Sequence, residues 1–296
     1  MIASIGHVAI QVPDLDAAVA YATELLGLQE VERVDGTSYL THSTPVATHG
    51  VPHHSMQYIE GPVLAMDHIG LQAADHESLD AVRASLEAAG VSLIADAPQD
   101  AGVAESIRFR GPAGHTFEVY RGMDEVPAHT PSGIRANRFG HVTIKSGDDI
   151  WATLDFLVDV LGFTISDWIG PKSKALLGFA RTNPYHHSIA VLTGPSGLYH
   201  YAYEVASAGE LLDFSDALDG AGRQLIWGPG RHGAGENVAV YHLDQPGVQV
   251  EHYADMELIL DDRPPREWSL DDPRGINAWG PQFDASVFEL GIPNVE

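Results

Sequence analysis

At 296 residues the chain exceeds the usual size of one domain, so two domains, each with its own core, are expected. Its 41 acidic residues against 16 basic leave a formal charge of −25, which repels phosphate backbones and anionic lipid, and no apolar run approaches the length of a membrane span; nucleic-acid and membrane roles are disfavoured. With no cysteine there can be no disulfide, thiolate metal site, iron–sulfur cluster or thiol nucleophile, so any metal must take nitrogen and oxygen ligands, for which 16 histidines are available.

The opening Met1-Ile2-Ala3-Ser4 has no basic leader and runs straight into a patterned strand, which predicts a soluble, cytoplasmic protein. Gly6-His7-Val8-Ala9-Ile10 reads as that strand, followed by an Asp-led helix ending at Leu26-Gly27-Leu28. His53-His54-Ser55, Gly61-Pro62 and Asp67-His68-Ile69 come next. After Asp75, the residues Leu79, Val82, Leu86 and Ala89 recur at helical spacing, with Asp75 or Ser78 able to cap the start and Gly90 to end the helix. Val91-Ser92-Leu93-Ile94 resumes as strand, and Pro112-Ala113-Gly114-His115-Thr116-Phe117-Glu118 closes the first half. Met123 to Arg135, rich in Pro, Gly and polar residues, reads as an inter-domain linker.

The second half repeats the first in the same order. Gly140-His141-Val142-Thr143-Ile144 leads to a helix started by Asp148 or Asp149, carried by Leu154 and Leu157 and ended at Leu161-Gly162-Phe163. His186-His187-Ser188, Gly194-Pro195 and Tyr199-His200-Tyr201 follow, then a helix bearing Leu211, Leu212, Phe214, Leu218 and Gly222, then Pro246-Gly247-Val248-Gln249-Val250-Glu251. Within each half a strand, an amphipathic helix and further strands occur twice. The prediction is an α+β protein whose two domains, 1–122 and 136–254, each consist of two paired βαβββ modules, joined by the linker 123–135. Residues 255–296 are expected to wrap over the second domain as a tail anchored by Trp268, Trp279 and Phe283.

His141, His200 and Glu251 sit among alternating apolar residues, where an inward polar side chain is costly unless paired or metal-bound. Two imidazoles and one carboxylate form the facial triad that suits Fe(II) and leaves positions open for substrate and O₂; Mn(II) and Zn(II) fit the same donors. The same residue types recur at His7, His68 and Glu118, at nearly the same intervals.

The paired modules resemble the vicinal oxygen chelate superfamily. Gly140-His141-Val142, Leu198-Tyr199-His200 and Val248-Gln249-Val250-Glu251 resemble the metal-ligand motifs of its type I extradiol dioxygenases, which cleave catechol rings. Gly228-Pro229-Gly230-Arg231-His232-Gly233, nineteen residues from His232 to Glu251, is similar to a segment of the catechol and homoprotocatechuate 2,3-dioxygenases. The resemblance implies that His141, His200 and Glu251 hold Fe(II), with Mn(II) the alternative. It makes His187 an acid/base beside bound oxygen, with His186 competing for the role, and gives His232 and Tyr241 hydrogen bonds to the catecholate. The implied substrates are a catechol and O₂, the product a ring-opened muconic semialdehyde type, and the assembly a homo-oligomer. The sequence departs from the family at Gln245-Pro246-Gly247, where an Asp-led turn is usual, and in a shorter spacer between His187 and His200. A ligand-sequestering module and a metal-dependent isomerase or transferase are the competing functions. In the first half, the steps that lead back from Glu251 to His232 and Tyr241 lead back from Glu118 to Gln99 and Arg108. Neither is a base near neutral pH and a guanidinium repels a metal cation, so His7, His68 and Glu118 are expected to form a vestigial, non-catalytic site.

Overall fold

A computed structural model describes residues 1–44, 50–131 and 134–296 as two mixed β-sheets, each half built from a repeated strand–helix–strand module. In the first sheet the strands run in the order Gln29–Val34, Thr37–Thr41, Met56–Glu60, Ile2–Val12, Ala65–Ala73, Thr116–Met123, Val103–Arg110, Leu93–Ala95. The opening strands of the two modules, Ile2–Val12 and Ala65–Ala73, lie side by side at its centre. In the second sheet the corresponding centre is Arg138–Gly147 beside Gly194–Glu204. Thr164–Ile169, Leu177–Arg181 and Ile189–Leu192 lie to one side of it, and Leu225–Arg231, Val238–Leu243 and Gln249–Ala254 to the other.

Alternation along the central strands decides what each face carries, because successive side chains point to opposite sides of a sheet. Val8, Ile10 and Val12 in one half, and Val142 and Ile144 in the other, join the hydrophobic core. His7 and His141 fall on the alternate positions and are buried on the opposite face. The four helices, Leu15–Glu24, His76–Ala88, Trp151–Asp159 and Ala208–Gly220, supply the apolar cover. Asp14 and Asp75 cap the first two, accepting from the backbone N–H of Ala17 and Ser78 at 3.0 and 2.8 Å, and Asp149 accepts from Trp151 at 2.9 Å at the third. Gly27, Gly90, Gly162 and Gly222 follow the four helices at φ of 66°, 70°, 76° and 72°, so one left-handed stop is used in every module. Phe156 of the third helix packs on Phe109 and Phe117 of the first sheet, with ring centroids 6.1 and 6.5 Å away, and the two cores merge there.

The stretch read as a linker is partly structured. Glu125–Val126 pairs with Val51–Pro52 in a two-stranded ladder, while Ser132 and Gly133 lie outside the described residues. The tail returns to the second sheet: Arg266–Trp268 extends its edge beside Thr164–Ile169, and Ile292–Pro293 pairs with Gly197 and Leu198. Phe283 stacks on Trp227 at 4.2 Å, and the Trp268 indole donates to Asp167 at 3.0 Å. Trp279 is 52 % exposed; the Arg231 guanidinium lies over its ring, 6.0 Å from the centroid, and its backbone carbonyl accepts from the Arg231 N–H at 2.8 Å. Among the described residues no helix is long and apolar enough to cross a membrane.

Candidate active site

One row across the second sheet assembles the expected ligands. His141 pairs with Ala202, Ala202 with Glu251, and Glu251 with Tyr241, so four neighbouring strands bring these side chains to one place. The small side chain of Ala202 leaves room for His141 and Glu251 to meet over it, and His200 enters from two residues earlier on the same strand. His141 Nε2 lies 3.0 Å from Glu251 Oε2 and 3.2 Å from His200 Nε2, and His200 Nε2 lies 3.2 Å from the same carboxylate oxygen. Three ligands about 2.2 Å from an ion at right angles to one another stand about 3.1 Å apart, so this spacing fits a facial triad around one divalent ion.

The charges suit that arrangement. Burial pushes the Glu251 carboxyl up, but the facing His141 and His200 imidazoles outweigh it and hold it well below the ordinary carboxylate range. Burial also lowers His141, with Glu251 partly offsetting, so the imidazole is neutral and presents a lone pair. Two residues not singled out in the sequence complete the setting. Asn237 Nδ2 donates to Glu251 Oε1 at 2.8 Å, leaving Oε2 turned toward the histidines, and Thr143 Oγ1 lies 3.0 Å from His200 Nε2. Thr143 is two strand positions from His141 and so shares its face, a signal present in the sequence; Asn237 lies in a loop that no periodicity marks.

Above the triad lies a cavity walled by apolar side chains including Ile169, Leu177, Phe179, Leu192, Phe283 and Phe288. His187, His232 and Tyr241 also line it. The His187 ring is centred 4.3 Å from that of His141, and burial, reinforced by His141 and His186, pushes its imidazole well below the usual histidine range. His186 turns the other way: its Nε2 lies 3.2 Å from Asp167 Oδ2, in a network that Arg263 and Arg266 share. Of the two adjacent histidines, His187 therefore faces the cavity. His232 Nδ1 donates to the Ile276 carbonyl, and its Nε2 lies 3.1 Å from Tyr241 Oη. Burial keeps His232 neutral despite the nearby Glu251. Tyr241 donates to Glu251 Oε2 at 2.6 Å; burial and that carboxylate raise its hydroxyl well above the ordinary tyrosine value.

The first half has the same row with different occupants. His7 pairs with Gly70, Gly70 with Glu118, and Glu118 with Arg108. Gly70 replaces Ala202 under a tighter approach: a Cβ there would fall 2.1 Å from His7 Cε1. His7, His68 and Glu118 do converge, but Gln99 does not join them; it is exposed and bonds the carbonyls of Ala97 and Pro98. Its neighbour Asp100 enters instead, with Oδ2 3.1 Å from His68 Nε2. Arg108 is present as expected, bonded to Asp100 at 2.6 Å and Glu118 at 3.4 Å.

Comparison with known proteins agrees with this architecture. Over 95 % of its length the chain is 28 % identical to the manganese-dependent 2,3-dihydroxybiphenyl 1,2-dioxygenase of Geobacillus genomosp. 3, covering 95 % of that protein. It is 27 % identical to the metapyrocatechase of Pseudomonas sp. strain CF600, with 90 % of this chain and 91 % of that protein covered. Among solved structures, the Mn(II)-bound glyoxalase from Novosphingobium aromaticivorans superposes with a TM-score of 0.87 at 27 % identity, covering 100 % of this chain and 95 % of that one. Residues 4–119 and 138–252, the two repeats seen in the sequence, each match one family, so that the chain belongs to the Glyoxalase/Bleomycin resistance protein/Dioxygenase superfamily.

Proposed function

We propose that this chain is an extradiol dioxygenase that opens the aromatic ring of a catechol with O₂, using Fe(II) or Mn(II) held by His141, His200 and Glu251, and releases a ring-opened semialdehyde-type product. The observation that carries this reading is the convergence of three donor atoms within 3.2 Å at the base of an apolar cavity that His187, His232 and Tyr241 also line. Relatives named as dioxygenases of a dihydroxybiphenyl and of catechol type support it. The reading assigns catalysis to the second domain, 136–254, and a non-catalytic role to 1–122.

When bound, the ion supplies Lewis acidity toward the catechol hydroxyls and a redox centre shared by substrate and O₂. The protein supplies position and protons. Asn237 fixes the Glu251 carboxylate through Oε1, so that Oε2 stays aimed at the ligand point. His232, its Nδ1 proton engaged by the Ile276 carbonyl, presents a bare Nε2 toward Tyr241, and this pair accepts the proton that a catechol hydroxyl gives up on binding. His187, neutral through burial, sits beside His141 and holds or delivers a proton at the reacting oxygen. Phe179, Phe283 and Phe288 exclude water and seat the ring.

A metal-dependent isomerase is the second reading, favoured by the glyoxalase among the similar structures. Against the version of it that uses an anionic thiol conjugate, none of the described residues lining the cavity is Lys or Arg. The test is anaerobic reconstitution with Fe(II) or Mn(II) in separate samples, addition of catechol or 2,3-dihydroxybiphenyl, and admission of air. One O₂ consumed per diol with a yellow product is expected; metal-loaded protein that consumes no O₂ with either diol would overturn the reading.

A further inference from the structure

The geometry points to a second metal site in the first half, a closed four-ligand site for a divalent ion of the zinc class, made by His7, His68, Asp100 and Glu118. It differs from the proposed catalytic triad in ligand number, and therefore in what it can do. Four ligands in a tetrahedron about 2.1 Å from an ion stand about 3.4 Å apart. Here His7 Nε2 lies 3.0 Å from His68 Nε2, 3.5 Å from Asp100 Oδ2 and 3.4 Å from Glu118 Oε2, and His68 Nε2 lies 3.1 Å from Asp100 Oδ2 and 4.0 Å from Glu118 Oε2. The spacings bracket the tetrahedral value.

Three further features aim these atoms at a common centre. Glu118 Oε2 is wholly buried and has no hydrogen-bond partner, a costly state for a carboxylate oxygen unless a cation meets it. His68 bonds Asp67 through Nδ1 at 2.7 Å, which holds a ring proton on that side and leaves Nε2, beside Asp100, as the nitrogen an ion would take, the carboxylate–histidine pairing that orients metal ligands. Arg108 takes the outer oxygens, Asp100 Oδ1 at 2.6 Å and Glu118 Oε1 at 3.4 Å, so that both inner oxygens remain directed at the histidines. Its Nη2 carries two hydrogens and also reaches His68 Nε2 at 3.3 Å, a contact that an ion bound at Nε2 would replace while the bond to Asp100 remains. The guanidinium thus serves as an orienting group beside the site. Charge is balanced as well: Asp67, Asp100 and Glu118 against Arg108 leave two negative charges, which one divalent ion neutralises. With four protein ligands no position stays open for substrate, so the role is to hold together the first sheet's central strands and the Asp100 loop.

The full chain, stripped with chelator and titrated with Zn(II) alone, is expected to bind two ions. Glu251→Ala, which removes a ligand of the proposed catalytic centre, is expected to bind one; Asp100→Asn is expected to bind one; the double variant none. Cobalt(II) loaded into Glu251→Ala is expected to give the intense visible absorption of four-coordinate cobalt. One ion in the wild type together with none in Glu251→Ala would overturn the second site while leaving the catalytic assignment intact. Two ions in Asp100→Asn would overturn Asp100 as a ligand. Should Asp100→Asn fail to fold, the wild-type and Glu251→Ala counts still decide.

Discussion

Arg108 stands where Tyr241 stands: each pairs across its hairpin with the carboxylate of its half, Arg108 with Glu118 and Tyr241 with Glu251. A phenol at that place can share a proton with His232 and a bound diol; a guanidinium is permanently charged and engaged by Asp100 and Glu118. The two halves therefore keep one scaffold and place different side chains beside its carboxylate.

The proposal that catalysis belongs to the second half alone predicts the behaviour of His68→Ala. Loss of this imidazole leaves Asp67 and Asp100 short of a partner in a buried network, at a cost of ~3 kcal/mol in stability. Turnover per folded, metal-loaded chain is expected to stay within about twofold of wild type. A variant that retains its second-half metal yet loses turnover would show that the halves cooperate in one site.

The adjacent histidines are expected to separate cleanly. His187→Phe should keep metal and diol binding and slow turnover by about 10²-fold, the usual scale for a positioned acid or base. His186→Phe should instead lower the unfolding midpoint, because His186 serves the Asp167, Arg263 and Arg266 network, and leave turnover nearly unchanged. Steady-state kinetics beside urea unfolding would reveal a reversal of these roles.

Asn237→Ala removes the donor that holds Glu251 Oε1. Metal affinity is expected to fall by about 10- to 100-fold, the scale for losing an orienting partner of a metal ligand, with activity restored at high added metal. Competition against a chelator measures it; unchanged affinity would mean that the Glu251 orientation is set by Tyr241 alone.

Acid is expected to destabilise the fold before the carboxylates titrate. Burial lowers His42 and His115 to about 4, His252 to about 3 and His242 well below its ordinary value. Each contributes stability that is fully present above the unfolded value near 6.5 and is lost progressively as pH falls toward the folded value, by ~1.4 kcal/mol per pH unit per group. Asp244, raised by burial to about 7, and His68, which burial lowers but Asp100 raises to about 9, act in the opposite sense, since their folded forms take up protons at higher pH than the unfolded chain, and they offset the four histidines between pH 7.5 and 6.5. Urea midpoints should therefore decline from pH 6.5 to 5.5; a flat or rising pair would contradict the buried, neutral state of these histidines.

The sequence alone determined the repeat, the class of fold and the convergence of His141, His200 and Glu251. Each of these depends on local periodicity: a strand of period two decides which residues share a face, and repeating the module duplicates the decision. Counting the second half's steps back from Glu118 placed Arg108 where that half has Tyr241, and the strand register agrees. Only the tertiary structure showed which of His186 and His187 faces the cavity, because the two neighbours point to opposite sides and what waits on each side, Asp167 or the cavity, comes from distant segments. It likewise brought in Asp100 where counting had suggested Gln99, and Asn237 where nothing had been expected. Both lie outside regular strands, where a one-residue change in loop path redirects a side chain and no spacing rule constrains it. Trp279 shows the remaining limit: beside the contact of its exposed ring with Arg231, a backbone hydrogen bond joins the same two residues, and the identity of a side chain does not encode such a bond.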